Sequence, residues 1–90
     1  MAHSLLNIIN ISEMFVLQGE VEDMIEHKII NWMLGQREKL GVTLISTRDI
    51  ADATNITIYQ ARGYLENLLR AGIVDRTPAS RGTPVLWFLI

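Results

Sequence analysis

Between residues 57 and 63 the chain carries side chains whose chemistry suits contact with DNA. Thr57, Tyr59, Gln60, Arg62 and Gly63 supply in turn a hydroxyl, a phenol, an amide, a guanidinium and an open backbone position. An amide can pair with adenine through two hydrogen bonds and a guanidinium with guanine, whereas a phenol can bind a phosphate. We therefore predict that these five residues contact double-stranded DNA.

Two further arginines, Arg76 and Arg81, stand beside and within a stretch of small and turn-forming residues. A cationic loop can lie along the phosphate backbone or enter the minor groove, so both arginines are predicted DNA contacts. Each set also has a simpler interpretation. On that interpretation the helix face is merely solvated, with Arg62 paired to Glu66 four residues on, and the loop carries its charges for solubility.

The sequence offers little for catalysis or metal binding. Its histidines are His3 and His27, it has no cysteine, and it contains neither an HExxH motif nor a glycine-rich phosphate loop. The carboxylates are scattered, and nothing singles out a nucleophile. We therefore predict that the protein is not an enzyme and uses no metal and no cofactor.

The first element predicted to support these residues is a helix over residues 20–35. Apolar residues recur there at spacings of three and four, which is typical of a helix with one buried face: Val21, Ile25, Ile29, Trp32 and Met33. Acidic residues at positions 20, 22 and 23 suit a helix start. Gly35, followed by basic residues at positions 37 and 39, suits its end, with an extension to residue 39 left open.

Two shorter helices follow. A β-rich stretch at residues 42–45 leads to Ser46 or Thr47 as the cap of a helix over residues 47–53, and Asn55 suits the left-handed backbone of a tight turn. Thr57 and Gln60 form a predicted capping box for the next helix. That helix has three inward-facing residues and ends at a glycine, namely Ala61, Leu65, Leu68 and Gly72.

After residue 72 the pattern becomes extended. Residues 73–77 and 84–90 are predicted strands around a polar loop at residues 78–83, with Trp87 and Phe88 packing in the core and at its edge. Two helices joined by a tight turn and followed by a hairpin are the layout of a winged helix-turn-helix. We predict a mainly α fold with a small β-hairpin, in which residues 1–20 form an N-terminal extension of undetermined structure and residues 21–90 a winged helix-turn-helix DNA-binding domain.

Composition and charge set limits on this prediction. The 90 residues, 49% of them hydrophobic, suit one compact domain, and the apolar runs are far shorter than the roughly 20 residues of a membrane helix. We expect a soluble, cytoplasmic and nucleoid-associated protein without membrane contact. Residues 1–27 carry five acids and no Lys or Arg, whereas residues 28–90 carry eight bases and five acids. The second part is only modestly basic, so we expect weak solitary affinity for DNA.

A set of residues in the third predicted helix and the hairpin also matches a known family pattern: Tyr59-Gln60-Ala61-Arg62, Tyr64-Leu65, Gly72, Arg76, Pro78, Arg81-Gly82 and Trp87-Phe88-Leu89. With these residues the chain, from about residue 24 to 90, resembles the PapI/FaeA family of fimbrial regulators. The resemblance implies a small bacterial winged-helix protein that controls phase-variable expression of pili. It implies action with the leucine-responsive regulatory protein (Lrp), whose affinity for pilus-operon sites with GATC sequences such proteins increase. By position, it assigns DNA contact to Tyr59, Gln60, Arg62 and Arg81.

Three hypotheses about function remain open at this point. The first is a DNA-binding transcriptional regulator of a fimbrial operon that acts with Lrp. The second is an autonomous winged-helix repressor that forms a homodimer through residues 1–35, the N-terminal third of the chain. The third is a winged-helix protein-interaction module that does not contact DNA, which the acidic N-terminal third favours.

Overall fold

A computed structural model of the chain describes residues 13–90, with the side chains of residues 24–90. The described part contains, in chain order, helix α1 (Glu13–Leu40), strand β1 (Ile45–Ser46), helix α2 (Thr47–Thr54), helix α3 (Ile58–Arg70), strand β2 (Val74–Arg76) and strand β3 (Leu86–Leu89). Residues 1–12 of the predicted N-terminal extension lie outside the described residues.

The order of the elements is that of a winged helix-turn-helix, which confirms the predicted fold class. Helices α2 and α3 form the helix-turn-helix pair, and β2 and β3 form the hairpin that is called the wing. The three strands form one antiparallel sheet in the order β1-β3-β2, and Ile45 of β1 pairs with Trp87 of β3. The sheet therefore joins the wing to the start of α2.

The strands are shorter than predicted. The β-rich stretch at residues 42–45 contributes only Ile45 to β1, and the predicted strands at 73–77 and 84–90 reduce to Val74–Arg76 and Leu86–Leu89. A strand extends only as far as its residues pair with a neighbouring strand. Strand β1 pairs with β3 only at residues 45 and 46. The propensity of residues 42–44 for extended structure therefore produced no strand.

Helix α1 begins earlier than predicted, and it ends one residue beyond the extension to residue 39 that the sequence left open. It begins at Glu13 rather than near residue 20, and it passes through Gly35 to end at Leu40. The glycine that follows this end is Gly41, whose φ is 82° and whose N–H donates to the carbonyl of Arg37 at 2.8 Å. Good helix formers at residues 36–39 carry the helix past Gly35. The predicted domain boundary after residue 20 falls inside α1 and stays a prediction.

The core lies where all three helices meet the sheet. Helix α1 packs against α2, α3 and β3, and α3 packs against α2 and β2. The fully or almost fully buried side chains are Ile29, Met33, Ile45, Ile50, Ala51, Ala61, Leu65, Leu68, Val74 and Trp87. The small Ala51 and Ala61 let α2 and α3 approach closely, and the inward positions predicted for α3 are confirmed. Among residues 13–90, no helix combines the length and the apolar character that crossing a bilayer requires.

Candidate nucleic-acid interface

The start of α3 is fixed by the predicted capping box. The backbone N–H of Gln60 donates to Thr57 Oγ1 at 3.1 Å, and the backbone N–H of Thr57 donates to Gln60 Oε1 at 2.9 Å. The turn before it depends on Asn55, whose φ of 58° is the left-handed conformation predicted for that residue. These two local features set the angle at which α3 leaves α2. They therefore position every side chain on the outer face of α3.

The capping box limits what Gln60 can offer to a base. Bidentate pairing with adenine uses both the oxygen and the nitrogen of the amide. In this structure the oxygen already accepts the N–H of Thr57. Gln60 Nε2 therefore remains as its donor toward DNA, and full bidentate pairing requires the capping box to open.

The outer face of α3 brings several predicted contacts together. The side chain of Tyr59 is 82% exposed, and Gln60, Arg62 and Gly63 are exposed as well. A shallow depression on this face is lined by Tyr59, Gln60, Gly63, Tyr64, Glu66, Asn67 and Arg70. Arg62 does not line the depression, and no described side chain lies within ion-pair distance of it. The pairing of Arg62 with Glu66 that belongs to the simpler interpretation is thus not formed.

Sequence reasoning missed two members of this depression, Asn67 and Arg70. The guanidinium of Arg70 donates a hydrogen bond to the side-chain oxygen of Asn67. Both follow Gly63 at steps of four and seven residues, which places them on the same helix face. Extending the helical spacing from Tyr59 and Gly63 toward the end of α3 would have found them.

Gly63 leaves open space on that face. A Cβ atom added at Gly63 would have no heavy atom within 4 Å. Packing inside the described part of the chain therefore does not require a glycine here. The missing side chain leaves the helix backbone accessible to a molecule that approaches from outside.

In the wing, Arg76 lies in β2 beside the buried Trp87 of β3. The two residues are paired across the strands, and the guanidinium carbon of Arg76 lies 5.8 Å from the centre of the Trp87 ring. Trp87 in turn donates a hydrogen bond from Nε1 to Thr47 Oγ1 at 2.8 Å, and it is only 2% exposed. The interpretation of Trp87 as a core residue is thereby confirmed. Arg76 is exposed, but its side chain packs on this indole.

Arg81 lies at the exposed tip of the wing. The base of the wing is closed by Thr77, whose N–H donates to the carbonyl of Leu86 at 2.8 Å, and whose hydroxyl accepts the N–H of Leu86 at 2.9 Å. At the tip, Ser80 and Thr83 form an isolated bridge, and Gly82 supplies a φ of 78°. The loop thus holds Arg81 in a tight turn, several residues along the hairpin from Arg76.

The two parts of the candidate interface are connected by a compact helix end. Ile73 N–H donates to the carbonyl of Leu68 at 3.0 Å and Gly72 N–H to that of Leu69 at 3.1 Å, with Gly72 at a φ of 77°. This pair of bonds is a Schellman motif, and it confirms Gly72 as the glycine that follows α3. It turns the chain directly from α3 into β2. Contact of any of these residues with DNA stays a prediction.

Comparison with known proteins gives a consistent result. The family model described as FaeA-like protein matches residues 22–90. The P fimbrial regulatory protein KS71A of Escherichia coli is 51% identical over 43 residues, which cover 48% of this chain and 56% of that protein. The major pilus subunit operon regulatory protein of Escherichia coli is 49% identical over 43 residues, with the same coverage. The Dr hemagglutinin AFA-III operon regulatory protein AfaF of Escherichia coli is 38% identical over 45 residues, which cover 50% of this chain and 53% of that protein. The chain thus spans a little over half the length of the curated relatives it matches.

Proposed function

The chain belongs to the FaeA-like protein family, and from this premise we propose that it is a DNA-binding regulator of the expression of a fimbrial operon. Proteins similar to it are named as regulatory proteins of fimbrial and pilus operons. A regulator of this kind acts by occupying a site and needs no catalytic centre.

The observation that carries the proposal is the exposed first half of α3 on a winged helix-turn-helix fold. In such folds the second helix of the pair enters the major groove, with its N-terminal residues at the base edges. Here that part of α3 exposes Tyr59, Arg62 and Gly63, while its opposite face is buried in the core. The wing adds Arg81 as a cation beyond the helix. Both parts suit a duplex with phosphates on either side of a groove.

The modest charge of the domain favours assistance by a second protein. Few cations face DNA, so counterion release contributes little to affinity. A protein that contacts DNA and an already bound partner gains from effective concentration without a large basic surface. We propose Lrp as that partner, as the family resemblance implies.

A gel-shift assay with a fimbrial promoter fragment tests this function. We expect little complex with the protein alone, a complex with Lrp alone, and a further-shifted complex when both proteins are present. A promoter fragment without Lrp sites serves as the control and should give no ternary complex. Identical binding with and without Lrp would contradict the partnership, and light scattering that shows a dimer would then support the autonomous repressor.

Substitution of Arg62 tests whether the protein contacts DNA or acts only through contacts with other proteins. Arg62→Ala should weaken assembly on the promoter by about 1–3 kcal/mol if the guanidinium contacts a base. Lys28→Ala, which removes an exposed cation from α1, is the matched control and should leave assembly unchanged. An unchanged complex with Arg62→Ala would favour the protein-interaction module.

A further inference from the structure

A second surface, separate from α3 and the wing, has the features of a protein-docking groove. It lies between α1 and α2, and we call it the α1–α2 groove. Trp32, Gln36 and Leu40 of α1 form one wall, Asp49 and Asp52 of α2 form the other, and Leu44 lies in the connection between the helices. None of these residues lines the depression on α3. The two surfaces can therefore be occupied at the same time.

Exposed apolar side chains are concentrated along this groove. Leu40 is 69% exposed and Leu44 is 53% exposed, and both line the groove. Isolated exposed apolar residues are ordinary, but two large ones that line the same groove form an apolar patch of the kind that marks interaction sites. Trp32 lies half-buried at the side of the groove, and tryptophan is a residue type on which interface energy is often concentrated.

The geometry of the groove suits an amphipathic helix. Trp32, Gln36 and Leu40 follow one another at steps of four residues, so they form a straight stripe along α1. This stripe is about 12 Å long, which is the length of two turns of a docked helix. An apolar helix face that enters such a groove is a recurrent mode of peptide recognition.

The negative charge of the groove distinguishes among three candidate occupants: DNA, the acidic N-terminal part of this chain or of a second copy, and a basic segment of a partner. Asp49 and Asp52 are exposed, and the structure gives neither carboxylate an ion-pair partner among the described residues. They repel phosphates, so the groove does not suit DNA. They also repel the acidic residues 1–27 of this chain or of a second copy, which hold five acids and no Lys or Arg. The occupant that fits has apolar side chains flanked by Lys or Arg.

We propose that the α1–α2 groove docks an amphipathic, basic helical segment of the partner protein while α3 and the wing contact DNA. The inference rests on the proposed function, which supplies Lrp as the partner to be tested. It adds to that function the surface that receives the partner and the chemistry of the segment received.

Site-specific photo-crosslinking tests the groove directly. Benzoylphenylalanine is placed at residue 44, at residue 59 or at residue 90, and each protein is irradiated with purified Lrp, with and without promoter DNA. Residue 44 should crosslink to Lrp, at a segment that peptide mapping shows to be apolar and basic. Residue 59 should crosslink to DNA. Residue 90 is the control, because Ile90 is exposed but lies outside the groove.

The outcomes separate the groove from the proposed function. If residue 59 captures DNA and residue 44 captures no Lrp, the groove proposal is wrong and DNA binding stands. A crosslink from residue 44 to a second copy of this chain, or to an acidic segment, also overturns it. If residue 44 captures Lrp while residue 59 captures no DNA, the groove proposal stands and the proposed DNA contact fails.

Two variants measure the contribution of the groove. Leu40→Ser combined with Leu44→Ser should lower the affinity gained from Lrp by about tenfold, which corresponds to about 1.4 kcal/mol. Ile90→Ser is the matched control, since Ile90 is 70% exposed and Leu40 69%. Asp52→Lys should also lower the affinity gained from Lrp. Glu38→Lys, a change on α1 outside the groove, should leave that affinity unchanged. Equal affinities for the groove variants and their controls would overturn the proposal. Circular dichroism confirms that each variant is folded.

Discussion

Gly63 is a residue that the packing of the protein itself does not explain. It lies in the interior of α3, where glycine destabilises a helix by about 0.5–1 kcal/mol relative to alanine. It is exposed, and a Cβ atom there would meet no heavy atom within 4 Å. The structure would therefore accept alanine. A contact from outside, such as the close approach of DNA in the proposed function, is the explanation that remains.

Replacement of Gly63 by alanine should change the stability of the protein and its binding to DNA in opposite directions. We expect Gly63→Ala to raise the free energy of unfolding by about 0.5–1 kcal/mol, because the helix loses its most flexible residue. The same change should weaken binding to promoter DNA, because a methyl group would stand between the helix and the duplex. Urea denaturation measures the first effect and fluorescence anisotropy with labelled DNA the second.

Gly35 provides a matched control for this experiment. It also lies inside a helix and has no heavy atom within 4 Å of a built Cβ. Gly35→Ala should raise the stability by a similar amount and leave DNA binding unchanged. If Gly63→Ala binds DNA as tightly as the original chain, close approach at this position is excluded.

Some residues of the candidate site could be placed from the sequence and others could not, and the difference has a physical reason. The exposed positions of α3 follow from helical spacing, which is a local property, so Tyr59 and Arg62 could be placed on the outer face from sequence. The contact of Arg76 with Trp87 depends on the register of two strands, which local pattern does not fix. Gln60 was predicted both to cap the helix and to contact a base, and in the structure its oxygen accepts the N–H of Thr57 in the cap.

At the scale of elements, α3 depends on its first turn. The capping box satisfies two backbone N–H groups that otherwise lack helical partners. Thr57→Ala removes one of the two bonds and should lower the free energy of unfolding by about 1 kcal/mol, which urea denaturation can measure. Because the same turn directs α3, DNA binding should fall as well.

Thr83→Ala is the control for the loss of a threonine hydroxyl. Thr83 is exposed in the wing, and no hydrogen bond of its side chain is formed in the described structure. Its substitution should change stability by less than about 0.5 kcal/mol. If Thr57→Ala is as stable as Thr83→Ala, the capping box does not stabilise α3.

Caps and turns that depend on neighbouring residues were predicted well, whereas the extent of the strands was not. The start of α2 at the Ser46 cap, the left-handed Asn55 and the end of α3 before Gly72 depend on neighbouring residues. Strand β1 exists because residues 45 and 46 meet β3 some forty residues later in the chain, which local pattern cannot show. The local pattern placed Gly35 at the end of helix α1, whereas the glycine that follows its observed end is Gly41.

At the scale of the whole molecule, α1 sets the long axis. The described structure extends over 55 × 27 × 23 Å, and a helix of 28 residues accounts for about 42 Å of the longest dimension. Among the α1 residues whose side chains the structure describes, 24–40, Ile29 and Met33 are almost fully buried, so the core lies against this part of the helix. Along the chain, the acidic residues of 13–26 are well separated from the bases of α3 and the wing. This separation allows a protein of net charge −2 to have a locally more basic second part, which the proposed contact with DNA requires.

The salt dependence of DNA binding tests this distribution of charge. If Arg62 contacts a base and Arg76 and Arg81 are the cations at the phosphates, the logarithm of the binding constant should fall with the logarithm of salt concentration at a slope of about −2. Anisotropy titrations of the protein alone, between roughly 50 and 200 mM salt, measure this slope. Arg81→Gln should make it shallower by about 1, whereas Arg37→Gln, which changes a cation on α1, should leave it unchanged. A slope near −6 would contradict the assignment, because it would require additional cations of this chain or a second copy of it at the DNA.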